Sequence, residues 1–269
     1  MTKSPAEIQE WLAARVPSGA QDTESRHQSA LMLDALFYDL MVMSGPSLFV
    51  EAGAFEAHAS MQVAALLPEC QVVAFEANPY AYNGFSESHN YSAARVCYRN
   101  QALIGSAEDD RVSFFVITSS SSGHEDRLES YNSLLKRTSN NWLGVTSYEE
   151  ISVPATTLDF EFGNLTGPFS LWMDVEGASK EVLSGAQGFL DHCDIAKIEV
   201  EDYAFWQNQW LVGDVVTEMA RHGLEPVARD IEGGRQYNVL FGSQRLLSRS
   251  DARNRIACYG FENDRSRAE

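Results

Sequence analysis

Two apolar runs, each closed by a glutamate, constrain this chain more than any other feature. Leu48-Phe49-Val50-Glu51-Ala52-Gly53-Ala54 and Val72-Val73-Ala74-Phe75-Glu76-Ala77-Asn78-Pro79 begin 24 residues apart. A continuous apolar run reads as a parallel strand buried on both faces. A carboxylate at its C-terminal end lies where open α/β sheets bind ligands. Small residues after the first glutamate let a ligand approach the backbone closely. The second glutamate stands about one βα unit later, where a ribose-binding acid is expected. Either glutamate alone reads more readily as a solvated strand end than as a ligand. Together they point to a nucleoside-containing cofactor.

Strands and helices alternate around this pair. Strands are expected at 48–51, 71–76, 95–99, 112–117, 169–174, 195–200, 225–229 and 236–242, with 112–117 pairing at an edge. Helices are expected at 58–67, after Pro79, at 178–190 and through Val215, Val216, Met219 and Ala220. Only a short crossing is expected between Val153 and Leu158, and the polar stretch from Thr118 to Asn141 reads as a loop. The last two strands form a hairpin around Gly233-Gly234 and make one strand antiparallel. Such alternation gives a mostly parallel sheet with helices on both faces. Residues 1–46 precede it as a helical extension, residues 47–243 form the cofactor domain, and residues 244–269 read as a solvated tail. In the extension, Ser4-Pro5-Ala6-Glu7 opens a helix with a capping box, and a second helix runs through Leu31, Leu33, Leu36, Phe37, Leu40 and Met41 to Gly45-Pro46. These helices could cover the sheet, cap the site or form a homo-oligomer contact.

Composition narrows the partners. The chain of 269 residues carries a formal net charge of −18. Nucleic-acid binders present a basic face, and here only the tail, with six Arg against four acids, is positive. No nucleic-acid partner is expected. No apolar run is long enough to cross a membrane. Cys70, Cys97, Cys193 and Cys258 form no CxxC pair and read as free, mostly buried thiols. Without a visible signal peptide, a cytoplasmic location is expected.

A nicotinamide enzyme would want G-x-G-x-x-G after the first strand. Gly53-Ala54-Phe55-Glu56-Ala57-His58 supplies one glycine of that pattern, and Glu56 would repel a pyrophosphate. S-adenosyl-L-methionine, which has a ribose but no phosphate, fits better. Its sulfonium and ammonium also suit acidic surroundings. Leu171-Trp172-Met173-Asp174-Val175-Glu176-Gly177-Ala178 then places two carboxylates where a strand runs into a turn. One could act as a general base toward an acceptor hydroxyl. Such acids also serve as helix N-caps, an alternative nearly as good for Glu176.

With these motifs in order, the chain resembles the FkbM family of S-adenosylmethionine-dependent methyltransferases. The resemblance rests on Phe49 to Ala54, Ala74 to Pro79, Thr156-Thr157-Leu158-Asp159, Asp174 to Ala178, Glu181-Val182-Leu183-Ser184-Gly185-Ala186, Ile198-Glu199-Val200 and Asn238-Val239-Leu240-Phe241. It implies a class I, Rossmann-like methyltransferase fold with a seven-stranded sheet, and methyl transfer to a hydroxyl oxygen of a small molecule or glycan. It further implies that Glu51, Gly53, Ala54 and Ser60 hold the methionine end of the cofactor. Glu76 would hold the ribose, and Ala77, Asn78, Gln101 and Ala102 the adenine. Asp174 and Glu176 would sit beside the transferable methyl. His124, Asn132, Ser133 and Glu199 are candidate acceptor contacts. No spacing assigns a metal, although Asp174, Glu176 and Glu199 could together hold a divalent cation.

Five departures from the family pattern stand out, the first being Glu51 in place of an aspartate before the loop. Phe55 and Ala57 replace an Asn and a second Gly, Trp172 replaces a lysine, and Ser179 replaces an acid. They leave open a second reading, a cofactor-binding scaffold that has lost catalysis.

Overall fold

The computed structural model describes residues 7, 10 and 23–265, apart from 124–126, 128–129, 140–142 and 232–234. Apart from Glu7 and Glu10, which are helical, the first expected helix lies outside the described residues, as do His124 and the Gly233-Gly234 turn.

A seven-stranded sheet forms the centre, in the order β3-β2-β1-β7-β8-β10-β9. Its strands are β1 (Leu48–Ala52), β2 (Gln71–Phe75), β3 (Val96–Arg99), β7 (Phe169–Met173), β8 (Cys193–Glu201), β9 (Leu224–Arg229) and β10 (Gln236–Ser243). Only β10 runs antiparallel, against both β8 and β9. The apolar run of β1 is buried at every residue because it pairs with β2 on one side and β7 on the other. The order of connection reverses between β1 and β7, which makes their C-terminal ends the topological switch point.

Helices cover both faces. Helix α1 (Thr23–Ser44) buries Leu33, Leu36, Phe37, Leu40 and Met41, a stripe at helical spacing, against one face of the sheet. Gly45, at φ 64°, ends it by donating its N–H to the Met41 carbonyl. On the same face lies α2 (His58–Leu66). Helix α3 (Pro79–Ser88) starts on Pro79, with the Asn78 side chain accepting from the Tyr80 N–H at 3.0 Å. The opposite face packs α4 (Leu158–Phe162), α5 (Ser179–Ser184), α6 (Gln187–Asp191) and α7 (Val212–Arg221).

Three local expectations are corrected. The single helix over 178–190 is two, α5 and α6, because Gly185 packs where a side chain could not fit: a Cβ there would come 2.1 Å from the Ile104 carbonyl oxygen. The 112–117 strand is not at an edge of the main sheet. It belongs to β5 (Arg111–Ser120), which pairs with the eleven-residue β6 (Thr146–Thr156) in a separate sheet ordered β4-β6-β5, with β4 at Ala102–Leu103. The expected short crossing is therefore a long strand, and residues 118–120 of the expected loop belong to β5. Finally, the tail is folded. Helices α8 (Gln244–Leu247) and α9 (Ser250–Arg265) pack on α1. Ala252 and Tyr259 are buried, and the Tyr259 hydroxyl donates to the Arg229 carbonyl at 3.0 Å. Three tail arginines fasten it: Arg245 to Asp194, Arg249 to the Met43 carbonyl and Arg255 to Asp39. Of the four cysteines, Cys70 and Cys193 are buried while Cys97 and Cys258 are exposed, so the thiols are less buried than expected. No described helix is long and apolar enough to cross a membrane.

Candidate functional site

A cleft opens at the switch point, with about 770 Å³ of atom-free space including its mouth. Gly53, Glu76, Asp174 and Glu176 contribute its polar end, and Phe75, Leu103, Phe114, Leu134 and Val182 its apolar walls. Ala77, Asn78, Gln101 and Ala102, the residues proposed from the resemblance for the adenine, line it together.

Gly53 sets how closely the two central strands' ends approach. Its φ is 74°, and an added Cβ would lie 1.7 Å from the Asp174 carbonyl oxygen. The loop is held by N–H donation from Gly53 and Ala54 to the Phe75 carbonyl, at 3.0 and 2.9 Å, and from Asp174 to the Ala52 carbonyl at 3.0 Å. The positions where Asn and a second Gly were expected, Phe55 and Ala57, both adopt left-handed conformations, φ 48° and 56°. Asn and Gly tolerate that region best, so the departures add backbone strain. Packing of the Phe55 ring on Phe85, with centroids 4.7 Å apart, offsets part of it.

Glu76 is buried at the floor. Its carboxylate accepts the Phe55 N–H at one oxygen and the Asn78 N–H at the other, both at 2.7 Å. Each oxygen retains a lone pair for a ligand hydroxyl. Burial pushes Glu76 up to about 7, against these hydrogen bonds, which pull it down.

Glu51 departs from expectation. Its carboxylate accepts the Ser60 N–H at 2.7 Å, at the start of α2. Ala57 at the N-cap of that helix offers no side-chain acceptor, so Glu51 caps it from the preceding strand. Glu51, Ala54 and Ser60 are not among the described residues lining the cleft. Burial pushes Glu51 up to about 7 as well. His58 faces solvent beside Glu56, 2.9 Å away.

The acidic turn follows β7. Glu176 is itself left-handed, at φ 50°, and its carbonyl accepts the Ser133 hydroxyl at 2.7 Å. Carboxylate oxygens of Asp174, Glu176 and Glu199 lie within 4.8 Å of one another, a spacing that could hold a divalent cation. Burial raises Asp174 above the ordinary carboxylate range, while a hydrogen bond with Glu199 and the Lys197 ammonium pull it down. Glu199 also accepts from the Gln236 amide at 2.7 Å. Asn132 and Ser133 line the cleft, but Asn132 spends its side-chain oxygen on the Ile117 N–H at 2.7 Å. Of the aromatic residues after β8, Trp206 is core, 1% exposed.

Four further charged residues, three of them tied to the acidic turn, were not singled out from the sequence. Arg137 meets Glu176 at 3.2 Å. Glu149 receives the Tyr80 hydroxyl at 3.3 Å. Glu201 is buried at the end of β8, pushed up to about 8 mainly by burial and secondarily by Asp174. Lys197 lies in register beside Trp172, with its ammonium 3.6 Å from the indole centroid. Of these, only Glu201 carried a sequence signal, as a second acid at a strand end.

The raised carboxyls predict a pH dependence. Between the ordinary value of 4.5 and about 7, folded Glu51 and Glu76 bind protons that the unfolded chain releases. Stability from this source is fully present below the ordinary value and is lost as pH rises through about 7, with Glu201 extending the loss to about 8. The ligand-free melting temperature should fall from pH 5 to 8.5, and Glu51→Gln should flatten the fall. A melting temperature that climbs over that range would contradict the assignment.

The donor set suits S-adenosyl-L-methionine. Gly53 admits a ligand against backbone, Glu76 presents free lone pairs to vicinal hydroxyls, and the carboxylates at the polar end favour a cationic group over a phosphate. Solved structures of similar outline include a precorrin-6y C5,15-methyltransferase from Geobacter metallireducens GS-15, 10% identical, covering 79% of this chain and 88% of that one at a TM-score of 0.42. Another is human N-acetylserotonin methyltransferase in complex with SAM, 7% identical, covering 80% of this chain and 54% of that one at 0.40. Among curated proteins, none matches the sequence. The model of the methyltransferase FkbM domain matches residues 50–226, well over half of the 269. The chain therefore belongs to the FkbM methyltransferase family, and its cofactor is S-adenosyl-L-methionine.

Proposed function

We propose that the protein transfers a methyl group to a hydroxyl oxygen of a small-molecule or glycan acceptor. The observation that carries this is the recessed Asp174 carboxylate beside the Glu76 cleft, with Glu176 and Glu199 oxygens within 4.8 Å. A neutral hydroxyl needs a base as the new bond forms, and a carboxyl raised by burial is a better base than an ordinary one. An amine acceptor would need no such group once deprotonated.

The cofactor supplies an electrophilic methyl group. Glu76 would accept hydrogen bonds from its ribose hydroxyls, and Phe75, Leu103, Phe114 and Val182 would wall its adenine. Asp174 orients the acceptor hydroxyl and takes its proton. Glu199, hydrogen-bonded to Asp174, disperses the charge and offers a path for that proton. In-line approach of the oxygen requires the acceptor to be held, so orientation supplies much of the rate.

A labelled-methyl transfer assay over a panel of sugars, polyketides, lipid head groups and peptides tests the proposal. Label on a hydroxyl oxygen supports it. Cofactor binding with no transfer to any hydroxyl would favour the scaffold reading, for which the strained Phe55–Ala57 loop is the structural argument. Label on nitrogen would change the reaction class.

Glu76→Ala should weaken cofactor binding by about tenfold or more, since hydrogen bonds to a charged group are worth about 1.5–3 kcal/mol. Affinity in the wild type should also rise with pH through about 7, as Glu76 ionises. Calorimetric titration reads both. An unchanged dissociation constant in the variant would move the ribose elsewhere.

A further inference from the structure

Resting on the methyl-transfer reading above, we infer that Arg137 is a positioning residue, which through Glu176 and Trp206 fixes the 174–177 turn against the cofactor's methyl end.

The segment bearing Arg137 is zipped to the segment after β8. Arg137 and Trp206 form an antiparallel bridge, Thr138 donates to the Phe205 carbonyl and Gln207 to the Lys136 carbonyl, both at 2.8 Å. The Arg137 side chain is thus carried inward, where the residue is 5% exposed. Its guanidinium lies 3.2 Å from the Glu176 carboxylate and 4.3 Å from the Trp206 ring centroid. Trp206 in turn packs on Gly177 so closely that a Cβ there would come within 2.6 Å of the indole. One chain of contacts therefore runs Glu176, Arg137, Trp206, Gly177, and returns to the same turn.

That turn needs holding. Glu176 is left-handed at φ 50°, a conformation that costs free energy for a residue with a Cβ. The Ser133 hydroxyl anchors its carbonyl, and Arg137 anchors its carboxylate. Without the guanidinium, Glu176 would be a partly buried carboxylate, its side chain 13% exposed, without the Arg137 charge, and the turn would relax toward water. Lysine would keep the charge but not the planar contact with Trp206.

Positioning and simple counter-charge predict opposite signs. If Arg137 only supplied positive charge, Arg137→Gln would tighten binding of the cationic S-adenosylmethionine relative to S-adenosylhomocysteine, and Arg137→Lys would behave as wild type. If Arg137 positions Glu176, Arg137→Gln should weaken S-adenosylmethionine fivefold or more with S-adenosylhomocysteine changed far less. Arg137→Lys should recover only part of that loss. The loss should also vanish in a Glu176→Gln background, because Arg137 would then have nothing to hold. Calorimetric titration of both ligands against the full-length wild type, the two single variants, Glu176→Gln and the double variant reads all of this. A melting curve for each checks folding.

Equal weakening of both ligands would mean a merely structural role and would overturn the proposal, as would tighter binding of S-adenosylmethionine by Arg137→Gln. Should Arg137→Gln fail to fold, Arg137→Lys decides the matter: an unchanged ratio of the two affinities overturns it. A wild type that binds neither ligand would instead remove the methyl-transfer reading itself.

Discussion

Gly53→Ala is expected to abolish cofactor binding and to destabilise the protein by more than about 4 kcal/mol, the range reserved for severe core defects. The added Cβ would lie 1.7 Å from the Asp174 carbonyl oxygen and 2.7 Å from its carbonyl carbon. These are backbone atoms at the end of a central strand, so no side chain can swing aside. Relief would require parting β1 from β7, whose register runs from Leu48 opposite Phe169 to Ala52 opposite Met173. Gly223→Ala is the matched control. Gly223 is also left-handed, at φ 71°, but a Cβ there meets nothing within 4 Å. It should cost only the conformational term, roughly 1–2 kcal/mol. Chemical denaturation of both variants separates crowding from backbone strain. Similar losses would mean that the switch point yields more readily than its geometry implies.

The second large effect concerns chemistry. On the proposed function, Asp174→Asn keeps the shape of the turn and removes its base. Turnover should drop by about 10²-fold or more, the usual scale for general base catalysis. Cofactor affinity should change far less, because Glu76 and the apolar walls remain. A steady-state comparison with an identified acceptor checks the first half, and calorimetry the second. Full activity in the variant would hand the base role to Glu199 or Glu176. Loss of cofactor binding would make Asp174 a ligand of the methionine end.

What could be read from the sequence followed from burial. Strands β1 and β2 are buried on both faces, so their apolar runs announce them, and the acids that close them mark the ligand end of the sheet. Asp174 and Glu176 were legible for the same reason, with Gly177 signalling the turn. Strand β6 was not. Its Tyr148, Glu149 and Glu150 stay partly exposed and Pro154 interrupts it, so neither periodicity nor composition marks eleven residues held by pairing with β5. Glu51 was legible as a strand-end acid but not in its direction. Which way its carboxylate turns depends on α2, whose Ala57 N-cap cannot satisfy the helix start. Arg137 was hidden most completely. It sits in a polar stretch without period, 39 residues from its Glu176 partner, and becomes a site residue only through main-chain pairing with the 205–207 segment.

The Trp172 departure has a different lesson. Sequence comparison at that position alone reports a lost lysine beside the acidic turn. In the folded sheet, Lys197 is the residue beside Trp172 on the neighbouring strand, and its ammonium both covers the indole and tempers Asp174. A cation thus stands one strand over from the position where the family pattern led to the expectation of a lysine. Asp34 on α1 holds it there at 2.6 Å, which ties the charge at the sheet's ligand end to a helix outside the matched domain. Cationic character here belongs to a rung of the ladder instead of a column of an alignment. Relatives should therefore be sorted by the two residues together, and a chain lacking both would be the one in which Asp174 lacks this cation, Arg137 being the counter-charge of Glu176.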